Sequence, residues 1–297
     1  MDRILVIGAA VVDISGVGAG SVQPGDSNPG IVGLSVGGVA KNIAENLTRL
    51  GLDVHLLTFL GDDLFSAFIT NHLDQAGILY PMSPSLPGPS GKYVAIHAHD
   101  GVLATAVNDF RVIETLEPGD FDRFAAYIEG FDVLVLDVNL SASVLDRLIH
   151  AFSHKKIVVD GVSRAKVVRI RPFLDRIWLL KVNRGELSEL LGHDAVDIIY
   201  GVKDLLGTGI RTVVVTNGAD PITYNIERRI YQTAIFETKN PVSSSGCGDA
   251  LVAGTVYGLV KGLSMHEAVN CGKKAASFTM EVAEPCHPLL HAKLFED

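Results

Sequence analysis

The sequence predicts an α/β protein in three layers, with a mainly parallel central sheet, helices on both faces and a small β-sheet lid. Three observations carry this. Short Val-, Ile- and Leu-rich runs recur without period-two alternation, as strands do when helices cover both sides of a sheet. Longer amphipathic stretches separate them, and strand–helix alternation builds parallel sheets with crossover helices. Two irregular stretches, residues 15–35 and 81–108, are rich in Gly, Ser and Pro and interrupt that rhythm. The 297 residues fit one such domain spanning 1–297, with lid insertions at approximately 14–36 and 88–112.

In chain order, residues 4–12 form an apolar run flanked by Asp2 and Asp13, which suits a buried strand better than a short signal peptide. Helical periodicity covers 41–50 and 64–76, with a strand at 54–59 between them. Alternation in 92–97 and 102–107, with His99-Asp100-Gly101 between, predicts a hairpin. Helices are then expected at 121–129, 142–152, 186–191 and 196–206, and strands at 133–137, 157–160, 177–181 and 212–216. A strand-like run at 230–237 precedes two final helices, 249–260 and 265–281.

Composition narrows the function. Lys and Arg number 25 and Asp and Glu 34, a formal charge of −9, which argues against coating nucleic acid. Local phosphate binding through backbone amides stays open. Apolar residues at 47% and charged residues at 20% exclude a disordered chain. Three cysteines without a Cys-x-x-Cys pair exclude a disulfide framework and fit a reducing, cytoplasmic setting. No apolar stretch approaches the length of a membrane span. Ten histidines show no zinc-ligand spacing, and Gly16-Val17-Gly18-Ala19-Gly20 lacks the helix signal of a dinucleotide or Walker loop.

The segment Ser243-Ser244-Ser245-Gly246-Cys247-Gly248-Asp249-Ala250 leads into an apolar helix. Its glycines allow close backbone approach, and amides at a helix start favour an anion. Asp249 would sit beside that anion, where a carboxylate serves as a base for a hydroxyl that attacks a phosphate. Simple helix capping is the alternative for Asp249. Cys247 as a nucleophile is a rival, although the sequence places no partner histidine. Gly37-Gly38 before a second helix, with Asn42 in its first turns, offers backbone and amide contacts to ligand hydroxyls; a tight turn is the plainer reading.

Together the spacing Gly37-Gly38, Asn42, Ala44, Gly51, Gly61 and the segment from Ser243 to Gly254 resemble the two signatures of the ribokinase-like (PfkB) carbohydrate and nucleoside kinases. Cys247 stands where that family usually has alanine. The resemblance covers nearly the whole chain and implies a ribokinase-like fold, ATP and Mg2+ as cofactors, Asp249 as catalytic base and an anion hole from Gly246, Cys247 and Gly248. It implies that Asn183 and Glu186 organise the triphosphate and its metal, with Glu186 the metal-linked residue, and that Thr216 and Gly218 meet the nucleotide. A second glycine usual after Gly218 is absent, with Asp220-Pro221 following. Asp13, Gly38 and Asn42 would hold substrate hydroxyls. Many relatives also use a monovalent cation such as K+, which the residues here leave open.

Asp26-Ser27-Asn28-Pro29-Gly30, Val107-Asn108-Asp109, Asp137-Val138-Asn139 and Asp160-Gly161-Val162-Ser163 with Lys166 resemble the branch of the family that acts on pseudouridine. That implies transfer of phosphate to its 5′-hydroxyl, with Asp26, Ser27, Asn28, Asn108 and Lys166 near the base and a homodimer formed through the lid. A turn is the alternative for residues 26–30. Another ribonucleoside, ribose or a ketohexose as substrate, and a non-catalytic nucleoside sensor, are the competing functions.

Overall fold

The computed structural model describes residues 2–238 and 240–296. Eight strands form the main sheet: β1 (Ile4–Ile7), β4 (Val54–Leu57), β7 (Val133–Asp137), β8 (Lys156–Asp160), β9 (Leu179–Asn183), β10 (Val213–Thr216), β11 (Ile222–Ile226) and β12 (Arg229–Thr233). Their order is β12-β11-β10-β9-β8-β7-β1-β4. The strands from β4 to β10 pair in parallel, while β11 and β12 add an antiparallel edge. The chain moves outward on one side of β1 to β4 and on the other to β7. The crevice at that reversal is where open α/β sheets bind ligands.

Among the described residues ten α-helices cover the two faces: α1 (Val39–Arg49), α2 (Leu64–Gln75), α3 (Arg111–Glu114), α4 (Ala125–Glu129), α5 (Ala142–Ala151), α6 (Arg164–Val167), α7 (Arg184–Leu191), α8 (Ile198–Gly207), α9 (Cys247–Val260) and α10 (Met265–Thr279). Leu5, Ile7, Leu134, Leu136, Val159 and Val215 pack against α3–α8. Ile4, Val6, Val133, Val135 and Val158 point the other way, into α1, α2, α9 and α10. Each central strand is therefore apolar on both sides, which is why alternation is missing from its sequence. Helix α9 is apolar around most of its circumference because the sheet, α1 and α10 enclose it.

A separate four-stranded sheet, β3-β2-β5-β6, comprises β2 (Val11–Gly18), β3 (Gly30–Gly37), β5 (Lys92–His97) and β6 (Leu103–Asp109). Only β2 and β5 run parallel in it.

The structure differs from expectation in several places, two of them in the strands. The run 4–12 is not one strand: the chain leaves the main sheet at Gly8, whose Cα lies against the Asp137 carboxylate where a Cβ would overlap it, and resumes as β2 in the lid. The run 230–237 pairs only as far as Thr233, and its partner β11 was hidden by buried polar residues, Thr223 and Asn225. Asn225 is buried because its amide replaces strand partners, donating to Arg211 O and Glu227 O and accepting from Val213 N–H.

Candidate active site

The carboxyl ends of β1, β7, β8, β9 and β10 all open onto one cleft. Helix α9 starts there. Its first backbone bond runs from Ala250 N–H to Gly246 O at 2.9 Å, so the amides before it belong to the open helix terminus. Gly246 has φ 75°, and a Cβ there would collide with the Pro285 carbonyl, so both conformation and space demand glycine. At Gly248 a Cβ would stand 2.6 Å from Lys181 Nζ. The Cys247 N–H is turned onto Ser244 O at 3.3 Å.

Asp249 follows in the first turn of α9, and is 8% exposed. Its Oδ2 accepts a 2.7 Å hydrogen bond from Asn42 Nδ2, on α1. Residues 207 positions apart thus meet because α1 and α9 pack side by side on one face of the sheet. Burial, reinforced by the negative charge of Asp160, pushes the Asp249 carboxyl up to about 7; the Asn42 bond and the Lys181 and Lys41 ammonium groups oppose this. A carboxyl poised there exchanges protons near neutrality, as a general base requires.

Below the terminus, Lys181 Nζ lies 3.2 Å from Asp160 Oδ2. Burial favours a neutral Lys181, but the charges of Asp160, Glu186 and Asp249 outweigh it and keep the ammonium. Asp160 Oδ1 also accepts Val162 N–H at 2.8 Å, holding a β-branched residue at φ 55°.

Asn183 and Glu186 sit together as expected for residues three apart, but as a capping box that starts α7. Glu186 Oε2 accepts Asn183 N–H at 2.8 Å and its Oε1 accepts Asn183 Nδ2 at 2.7 Å. Burial raises the Glu186 carboxyl, countered by Lys181. Among the described residues no three His, Cys, Asp or Glu side chains group to hold a metal.

A cavity of about 390 Å3 adjoins Cys247 and Gly248 and is lined by Thr216, Gly218, Phe236, Ser244 and Lys273 among others. Lys273 Nζ lies 4.5 Å from the Phe236 ring centre. Neither residue carried a signal in the sequence. The Cys247 thiol is pushed up to about 11 by burial and by the Asp249 charge, so it is a thiol at neutral pH rather than a nucleophile.

On the lid side, Asp13 is half-buried on β2, and Gly37 presses against its carboxylate. Burial lifts the Asp13 carboxyl to about 6, with Lys41 opposing. Gly38, φ 101°, abuts Ala9 O, where no Cβ would fit. Asp26, Ser27 and Asn28 are exposed in the β2–β3 connection, and Asn28 Nδ2 donates to Gln23 O and Asp26 O. Asn108 is exposed on β6 opposite Tyr93. Lys166 is engaged as well: its ammonium donates to Asn139 Oδ1 at 2.8 Å.

The chain resembles proteins of known activity across its length. It is 28% identical over 284 residues to the pseudouridine kinase of Escherichia coli (strain K12), covering 94% of this chain and 90% of that one. It is 27% identical over 285 residues to the guanosine-inosine kinase of Exiguobacterium acetylicum, covering 93% and 94%. The Arabidopsis thaliana ribokinase solved with ribose and ATP superimposes with a TM-score of 0.86 at 20% identity, over 100% of this chain and 99% of that one. The pfkB family carbohydrate kinase model matches residues 1–292, and the chain belongs to that family of kinases.

Proposed function

We propose that this protein phosphorylates the 5′-hydroxyl of pseudouridine with ATP. The observation that carries the kinase reading is Asp249: a buried carboxyl near pH-neutral affinity, oriented by Asn42, beside a glycine-framed helix terminus. Asp13, Gly38 and Asn42 would hold the ribose, and Asp26, Ser27, Asn28 and Asn108 the base from the lid, whose amides and hydroxyls match the donors and carbonyls of a uracil ring. Lys166 would reach the base with an N–H not spent on Asn139.

The adenine end of ATP would occupy the cavity beside Thr216 and Gly218, with the triphosphate reaching the α9 terminus. The substrate oxygen attacks the γ-phosphorus as Asp249 accepts its proton, and the bond to the β,γ-bridging oxygen breaks to release ADP. The amides of Gly246, Cys247 and Gly248 would stabilise the transferring group, a contribution on the order of a few kcal/mol per donor. For Cys247 this requires its N–H to swing from Ser244 O. Mg2+ would neutralise the phosphates. The inward-turned Glu186 suits holding its water molecules, since Mg2+ retains several and takes few carboxylates.

Resemblance to the E. coli relative supports pseudouridine. The similar identity to a guanosine-inosine kinase favours a second reading, another ribonucleoside. No helix among the described residues is long and apolar enough to cross a membrane. The open β3 edge, with exposed Ile31, Val32 and Leu34, supports a homodimer formed through the lid. A coupled ADP-release assay over pseudouridine, uridine, cytidine, inosine, guanosine and ribose tests the substrate. Highest kcat/KM with pseudouridine is expected, and ADP release with none of these acceptors overturns the kinase reading.

A further inference from the structure

The chain crosses between body and lid four times: from β1 into β2, from β3 into α1, from the segment after α2 into β5, and from β6 into α3. Three of these crossings meet one buried string of side chains. The Asp137 carboxylate, at the end of β7, accepts Ala9 N–H at 2.9 Å from the first crossing and Ala40 N–H at 3.2 Å from the second, both on Oδ2. Its Oδ1 accepts Asn139 N–H at 3.0 Å. Asn139 Oδ1 in turn accepts Lys166 Nζ at 2.8 Å. Lys166 Nζ lies 4.4 Å from the ring centre of Phe110, in the fourth crossing, and 3.8 Å from Glu114. Asp137 and Asn139 are 1% and 2% exposed.

The packing leaves this string little freedom. Gly8 admits Asp137 because it has no Cβ. Arg169 Nη1 donates to the carbonyls of Val138, Asn139 and Leu140, fixing the loop that carries Asn139. The third crossing has a separate anchor: Ser90 N–H and Oγ–H donate to the Asp63 carboxylate, and Gly61 N–H donates to Ser90 Oγ. The molecule thus contains its own control.

We propose that Asp137, Asn139 and Lys166 are positioning residues that fasten three lid crossings to the floor of the cleft, so that loosening any of them frees the lid before substrate binds. A capping role for Asp137 alone would not need Asn139 or Lys166. The string rests on the kinase reading only for its consequence: a loose lid admits water to the phosphate site, so ATP is hydrolysed without an acceptor.

The test is hydrogen exchange on the ligand-free protein, which does not depend on activity. In Lys166→Met and Asn139→Ala, the amides of Ala9, Ala40 and the Phe110 segment should exchange at least about threefold faster, while those of Gly61 and Ser90 keep wild-type rates, as local opening requires. Lys166→Arg should restore wild-type exchange. Acceptor-independent ATP hydrolysis should rise relative to transfer in the same variants. Wild-type exchange at Ala9 and Ala40 in Lys166→Met overturns the proposal, as does an equal rise at Gly61 and Ser90. If wild-type protein transfers no phosphate, the kinase reading fails while the exchange comparison still decides the string.

Discussion

The cleft floor and the lid solve opposite problems. At the floor, Asp137, Asp160, Lys181, Glu186 and Asp249 are all buried, and each charge faces a hydrogen-bond donor or an opposite charge. In the lid, Ile31 is 78% exposed and Val32 73%, and the polar residues at its tip bond to their own turn. Buried charge is costly unless its partners are held in place, so the floor is a preorganised electrostatic device. The lid keeps apolar surface exposed at Ile31, Val32 and Leu34. On this contrast, floor substitutions should act on turnover and lid substitutions on acceptor affinity or association.

The largest effect should come from Asp249→Asn, which keeps the Asn42 neighbour but removes the base. Turnover should fall at least about 10²-fold with ATP affinity retained. Near-normal turnover would show that the carboxyl does not take the proton. The same variant should melt higher than wild type near pH 8 and alike near pH 4. The folded-state pKa is raised, so the folded chain holds the proton more tightly, and stability is lost as pH rises through the interval from 3.8 to about 7.

Next in size is the pH profile. The base must be ionised, so kcat/KM should rise with pH to a plateau with a midpoint near 7, falling about tenfold per unit below it. Asp160→Asn removes a neighbouring negative charge and should shift that midpoint downward; an unshifted midpoint would disconnect Asp160 from the base.

Smaller changes belong to the lid. Asn28→Ala or Asn108→Ala should raise KM for the nucleoside by up to about tenfold and leave KM for ATP alone, the scale of one lost polar contact. Equal effects on both would erase the division between lid and floor. Val32→Lys should abolish dimers in sedimentation with kcat reduced less than in any floor variant; a monomeric wild-type protein would remove the lid interface.

Parts of this contrast are legible before any coordinates. The strands β1, β4 and β7 to β10 can be read because a strand covered on both faces must be apolar throughout. The short helices α3 and α6 cannot, since four residues hold no periodicity. Strand β11 is disguised by Asn225, which pairs with backbone groups of its neighbours rather than with water. In the site, Gly246, Gly248, Asp249 and Asn42 stand out because glycine conformation and carboxylate chemistry are properties of the residue itself. What Asp137 and Lys181 do is not legible in this way, because it comes from the groups around them: Ala9 lies 128 residues from Asp137.

What the sequence determined alone was local and additive: the alternation of strand and helix, the glycines that force tight backbone at Gly38 and Gly246, and the residue types able to handle a phosphate. The tertiary structure decided which carboxyl has its proton affinity raised by burial and which lysine meets Asn139. Proton affinity and hydrogen-bond partnership depend on burial and on charges within a few ångströms, and packing alone brings those together.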